Sequence, residues 1–208
     1  MMSDQKNHQP NAYKIENTEQ AKEFYKDWAD TYEAEISDNV YSTPDRCAKA
    51  LADFSDDLSG ATLDIGCGTG LSGQALRATG FTTLDGSDLS AEMLEKAHMR
   101  EGLYRNLWVA DLDNGFPFEP GAYSHIAAIG VIAGSHAPAK TIDEVLAVLA
   151  KDGLFVFSLN DHTIKDPEFE ARVAENLDTG MARLLFKEHG PHLDKLGMGS
   201  TVYVMQKV

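Results

Sequence analysis

The sequence predicts an α/β fold: a doubly wound sheet of about seven strands, mostly parallel, with an antiparallel C-terminal edge hairpin and N-terminal helices. Three observations predict it. From Gly60 onwards short apolar runs alternate with stretches of helical periodicity. The first of these runs ends in a glycine-rich turn, Asp64-Ile65-Gly66-Cys67-Gly68-Thr69-Gly70. Past residue 165 the alternation gives way to two β-rich runs joined by a polar stretch with Gly190, Pro191, Gly197 and Gly199. Strand–helix–strand alternation implies parallel strands, because each crossover helix carries the chain back across the sheet.

Each element follows in order. Residues 1–17 are polar and poor in apolar groups, the composition of a loose terminus. Phe24, Trp28, Ala29 and Tyr32 recur at helical spacing within 18–35. After a break at 40–44, Pro44 starts a second helix whose apolar face is Cys47, Leu51 and Phe54. Residues 18–58 therefore read as a helical lid of two helices, and 59–208 as the main domain. Strands are expected at 62–65, 81–84, 106–110, 123–129 and 154–159. Helices are expected at 71–78, 91–100 (with Ser90 as N-cap), 139–150 and 167–177. The final hairpin pairs 181–188 with 200–207.

Composition narrows the function. The hydrophobic share of 43% and charged share of 25% are those of a globular protein. No apolar run approaches the roughly 20 residues that span a bilayer, so no membrane partner is expected. The start has no basic and apolar pair of regions marking a secretory signal. The formal charge of −15 repels phosphates and argues against nucleic acid as partner. Arg172, Arg183 and Lys187 are too dispersed in sequence to argue for a basic patch. Two cysteines outside any CxxC pair, Cys47 and Cys67, fit a reducing cytoplasm.

The glycine turn carries the chemistry. Glycines tolerate the backbone angles of a sharp strand-to-helix turn and leave room for a ligand against the backbone. The helix that starts at Leu71 then aims free N–H groups at an anionic group. The dinucleotide fingerprint G-x-G-x-x-G would need glycine where Leu71 stands. With Asp64 two positions ahead and Gly70 closing the turn, the motif resembles the (D/E)-x-G-x-G-x-G of the class I S-adenosylmethionine-dependent methyltransferases. Gly86-Ser87-Asp88-Leu89-Ser90-Ala91-Glu92-Met93-Leu94 is similar to the family's G-x-D-x-S-x-x-M-L, about 20 residues past the glycines, where a ribose-binding acid belongs. Asp85 competes on spacing alone. Asp111-Leu112 and the segment to Phe118 resemble the family's adenine-binding stretch, with Phe116 for the usual leucine. Ser124 and Asp152 depart from the family's aspartate and proline. The resemblance spans about residues 20–160 and is closest to small-molecule members, those of ubiquinone biosynthesis and the Williams-Beuren region among them.

The resemblance implies a Rossmann-like fold, S-adenosyl-L-methionine as cofactor, and binding by Asp64, Gly66, Gly68, Gly70, Asp88, Leu89, Asp111, Leu112, Ile129 and Tyr32. It implies methyl transfer by in-line displacement, in which the protein aligns the reactants and excludes water. Tyr25 to Tyr32 resembles the lid segment of small-molecule members. Trp28, Tyr41 and Asn160 are candidate acceptor-binding residues. His136, just past the fourth strand, is a candidate acceptor contact and general base. A small molecule is the expected acceptor and a protein the second choice; no N-P-P-Y stretch, which marks amino-methylation of bases, is present. No metal is expected: His189-Gly190-Pro191-His192 reads as a surface turn without a ligand set. Two alternatives stand beside this reading. One is a cofactor-binding protein of the same fold without methyl transfer, and the other an NAD-dependent oxidoreductase, which lacks its third glycine here.

Overall fold

A computed structural model of the chain describes His8, Ile15 and residues 18–116, 118–134 and 137–208. The expected loose terminus lies mostly outside the described residues. Three helices come first: α1 (Thr18–Trp28), α2 (Tyr32–Asp38) and α3 (Thr43–Phe54). The doubly wound unit follows as β1 (Thr62–Ile65), α4 (Leu71–Ala78), β2 (Leu84–Asp88), α5 (Ala91–His98), β3 (Asn106–Val109), β4 (His125–Ala128), α6 (Thr141–Val148) and β5 (Leu154–Asn160). It ends with α7 (Pro167–Asp178), β6 (Ala182–Leu193) and β7 (Met198–Lys207).

The seven strands run in the order β3-β2-β1-β4-β5-β7-β6. β1 to β5 pair in parallel, while β7 pairs antiparallel with both β5 and β6. The chain winds outward from β1 to β3, then returns to β4 on the other side of β1. The sheet thus has a switch point between β1 and β4, and a crevice opens there past the carboxyl ends of the strands.

The period of two along each strand divides the core between two faces. Leu63, Ile65, Phe155, Phe157 and Leu159 pack with Ile142, Val145 and Leu146 of α6 and Phe169 of α7. Leu84, Val156, Val202 and Val204 pack with Cys47 and Leu51 of α3 and Leu76 of α4. Side chains of this size contribute about 1.5–3 kcal/mol each when fully buried. α3 is therefore part of the core layer, and only α1 and α2 rest over the crevice.

Three expectations need correction. The stretch 18–38 is two helices, since the chain turns at Thr31, whose N–H bonds to Trp28 O at 3.0 Å. That turn sets the Trp28 and Tyr32 rings edge to face, 4.9 Å apart. β2 lies at 84–88, not 81–84. Gly80 ends α4 at φ +109°, and Phe81 N–H bonds back to Leu76 O at 3.2 Å, so Phe81 is the buried apolar residue of a helix stop. The polar sequence Leu-Asp-Gly-Ser-Asp becomes a strand because β1 and β3 flank it. Finally, 189–192 is no surface turn: it extends β6, with His189 opposite Thr201 and Gly190 opposite Ser200.

Candidate active site

The glycine turn joins β1 to α4 at the switch point. Gly66 takes φ +65°, and a Cβ there would run into the Val131 side chain. Gly68 takes φ +53°, yet a Cβ there would meet nothing within 4 Å, so this part of the loop faces open space. α4 has no side-chain cap, which leaves its first N–H groups for a ligand. Gly68 N–H donates to Asp88 Oδ2 at 2.8 Å, and Ser90 N–H donates to Asp88 Oδ1 at 2.9 Å. Burial raises the Asp88 carboxyl above its ordinary range, and these backbone donors oppose the rise. Ser90 caps α5 by accepting from Met93 N–H at 3.2 Å, as its spacing predicts.

Gly66, Gly68, Asp88, Leu89, Asp111, Leu112, Ile129 and Tyr32 all line this one cleft. Sequence reasoning missed its further walls Ser87, Met93 and Ala21. Met93 is buried on α5, and a methionine at helical spacing carries no local signal that sets a cleft wall apart from plain core. Two expected residues do not line the cleft. Asp64 is fully buried behind the turn and accepts from Ser72 Oγ at 2.6 Å and Tyr104 Oη at 2.7 Å. Burial pushes its carboxyl up to about 6. Gly70, at φ +94°, packs beneath the turn against Arg100 and Leu103. Asp85, the rival by spacing, is consumed at the opposite end of β2. It accepts from Arg105 Nη2 at 2.5 Å, Asn106 Nδ2 at 3.0 Å and Tyr123 Oη at 2.9 Å.

Beside the cleft lies a cavity of about 330 Å³. Trp28, Tyr41 and Asn160 line it, as do Tyr25, Tyr32, Phe169, His162 and His192. Tyr25, Tyr32, Tyr41 and Gly130 wall both spaces, so the two adjoin. His136, the candidate base, lies outside the described residues. His192 is the main residue missed. Its Nδ1 sits 2.8 Å from Thr43 Oγ1 across 149 residues of sequence, a pairing that no local pattern signals. Burial pushes the His192 imidazole down to about 4, so it is neutral at physiological pH. Among the described residues no cluster of three side chains could hold a metal ion, and no helix is long and apolar enough to cross a membrane.

A seven-stranded sheet with this switch point and this cleft defines the Rossmann-like class I methyltransferase fold. Residues 63–157 match the family model described as a methyltransferase domain. Over those residues the chain is similar to a domain whose family uses S-adenosylmethionine. A putative methyltransferase from Haloferax volcanii, solved in complex with the Trm112 methyltransferase activator, superposes with a TM-score of 0.66 at 20% identity, covering 88% of this chain and 96% of that one. Human methyltransferase-like protein 27 is 31% identical over 137 residues, 64% of this chain and 56% of its own. The 18S rRNA (guanine(1575)-N(7))-methyltransferase of Saccharomyces cerevisiae is 32% identical over 126 residues, 54% of this chain and 46% of its own. The chain spans about half the length of these curated relatives.

These relatives overturn one expectation. Net charge and the lid segment pointed to a small-molecule acceptor and away from nucleic acid. The rRNA methyltransferases are 30–34% identical to the chain over 47–54% of its length. Net charge is a weak guide here because it sums over the whole surface, whereas an acceptor is recognised locally.

Proposed function

We propose that this chain transfers a methyl group from S-adenosylmethionine to a ring nitrogen of a nucleobase in RNA. The observation that carries this reading is that the cleft adjoins, through shared walls, a cavity lined by Tyr25, Trp28, Tyr32, Tyr41 and Phe169. Aromatic walls suit a planar base swung out of its stack, which is how enzymes reach single bases. The rRNA relatives support RNA as the acceptor class.

The cofactor brings the electrophilic methyl on its sulfonium. The residues present fit it: Gly68 leaves open space over the turn, and Asp88 offers its carboxylate to a ribose. Asp111 and Leu112 line the cleft, and the family resemblance assigns them to the adenine edge. The chain's task is alignment and exclusion of water, with α1 and α2 closing the crevice. A ring nitrogen with a free lone pair needs no deprotonation, so no general base is required. A neutral His192 also keeps positive charge away from a sulfonium. The free, buried thiols Cys47 and Cys67 suit a reducing compartment such as the cytoplasm.

The test is transfer of a labelled methyl from S-adenosylmethionine to total cellular RNA by the full chain, followed by digestion to nucleosides. The expected result is label in one methylated base. Asp88→Ala should abolish it and weaken S-adenosylhomocysteine binding at least about tenfold, or roughly 1.4 kcal/mol by calorimetry. Cofactor binding with no label in RNA would overturn the acceptor assignment.

A further inference from the structure

Ser200 and Thr43 are both fully buried, and their hydroxyls lie 2.9 Å apart. Ser200 Oγ also receives Arg46 Nη1 at 3.2 Å. A guanidinium has no lone pair to offer, so the Ser200 hydroxyl proton has one acceptor among the described residues, Thr43 Oγ1. Thr43 then donates its own proton to its other partner, His192 Nδ1, at 2.8 Å. The reverse polarity would leave a buried hydroxyl proton on Ser200 without an acceptor, which costs about 1–3 kcal/mol. His192 is thereby held with its proton on Nε2, the ring nitrogen left for the cavity.

A second group is oriented in the same sense. Asn160 Oδ1 accepts from His162 N–H at 2.9 Å and Thr163 N–H at 3.0 Å. Its Nδ2 hydrogens are what the side chain has left, and Asn160 lines the same cavity. Asn160 stands opposite Ser200 in the β5–β7 pair, and Gly190 stands opposite Ser200 in the β6–β7 pair. The three strands thus bring both donors to one end of the sheet. The carboxylate in the wall, Asp166, turns Oδ1 to Glu168 N–H at 3.0 Å as the cap of α7.

We infer that His192 and Asn160 make this cavity a fixed donor pair that selects a base presenting a ring carbonyl beside its nucleophilic nitrogen, as guanine does, over one presenting an amino group, as adenine does. The inference rests on the nucleobase reading above and deepens it. His192 and Asn160 are specificity residues that touch the base; Thr43, Ser200 and Arg46 are positioning residues that act through His192. An amino group at the carbonyl's place would set donor against donor and leave both without partners, the situation in which buried polar sites discriminate most strongly.

Two measurements test it. Nitrogen-15 NMR of the full chain reads the His192 tautomer directly; the Nε2–H form is expected, and Thr43→Val should release it to a mixture. An Nδ1–H form in the unmutated protein overturns the inference. Tryptophan fluorescence, with S-adenosylhomocysteine saturating, compares inosine 5′-monophosphate, which carries the carbonyl, with adenosine 5′-monophosphate. Inosine 5′-monophosphate should bind about tenfold more tightly. His192→Asn retains a polar group at the Thr43 side and removes the one facing the cavity; it should bring the two within about twofold. Equal binding, tighter adenosine 5′-monophosphate, no binding of either at millimolar concentration, or an unchanged preference in His192→Asn overturns it. RNA labelling without this preference would sink the donor pair alone. The preference without RNA labelling would sink the methyl-transfer reading alone.

Discussion

Asp64, Asp85 and Asp88 stand within or beside the same two strands, yet their partners assign them different tasks. Asp85 is saturated by Arg105, Asn106 and Tyr123, and those donors hold its carboxyl below the ordinary range against the burial that raises it. Asp88 keeps its place on the cleft. Asp64 is buried, with Oδ2 taking two donors and Oδ1 having no partner among the described residues. Its charge is costly there, and burial raises the folded pKa to about 6 from an ordinary 3.8. A raised carboxyl pKa means that the folded state holds its proton more tightly than the unfolded one. Its stabilising contribution is therefore complete below about pH 4, falls as pH rises to about 6, and is level above that. Asp64→Asn removes this titration. In urea unfolding, the wild type should lose on the order of 3 kcal/mol relative to Asp64→Asn between pH 4 and pH 7. Parallel pH profiles for the two proteins would show that Asp64 does not titrate in this window.

At the scale of elements, the lid is clasped from one side. Lys96 pairs with Asp30 at 2.7 Å, Lys26 with Glu92 at 3.7 Å, and Arg100 Nη2 with Glu33 at 2.6 Å. Exposed pairs of this sort are worth about 0–1 kcal/mol each. Arg100 differs because its Nε also donates to Thr69 O at 2.7 Å, inside the glycine turn. It joins the lid to the loop that shapes the cofactor cleft. Arg100→Ala should weaken S-adenosylhomocysteine binding roughly three- to tenfold in calorimetry, while Lys96→Ala stays within about twofold. Equal effects of both would mean that Arg100 acts only as another surface charge. The lid's other attachment is strained: Val40, between α2 and α3, takes φ +56°, rare for a β-branched residue. Its carbonyl accepts from Asp194 N–H at 3.3 Å, and Tyr41 bridges to Leu193, which seats the Tyr41 ring in the cavity wall.

For the whole molecule, a charge of −15 must be reconciled with the proposed RNA acceptor. Many cations are engaged: Arg105, Lys140, Arg172 and Lys187 each pair with a carboxylate, as do the lid cations. On the proposed RNA reading, affinity would come from the cavity's stacking and hydrogen bonds more than from phosphate neutralisation. The logarithm of RNA affinity against the logarithm of salt concentration should have a slope shallower than about −2, since each neutralised phosphate contributes roughly −0.7 on a single strand. A slope of about −4 or steeper would place a basic surface at the centre of recognition. Filter binding over a salt series gives the answer.

Much of this was legible in the residues. The strand–helix alternation, the shifted third glycine at Gly70, and Asp88 and Asp111 at successive strand ends are local patterns, so the class of fold and the cofactor followed from the sequence by itself. Local patterns work there because a glycine turn and a strand-end carboxylate are built by neighbours in the chain. Tertiary structure decided what depends on distant partners. It separated Asp88 from Asp85 by the donors each meets, and made a strand of 84–88 by flanking it on both sides. It turned an apparent surface loop at 189–192 into the end of β6. There it joined His192 to Thr43 and, through it, to Ser200, because residues 149 and 157 positions apart meet only in the folded sheet.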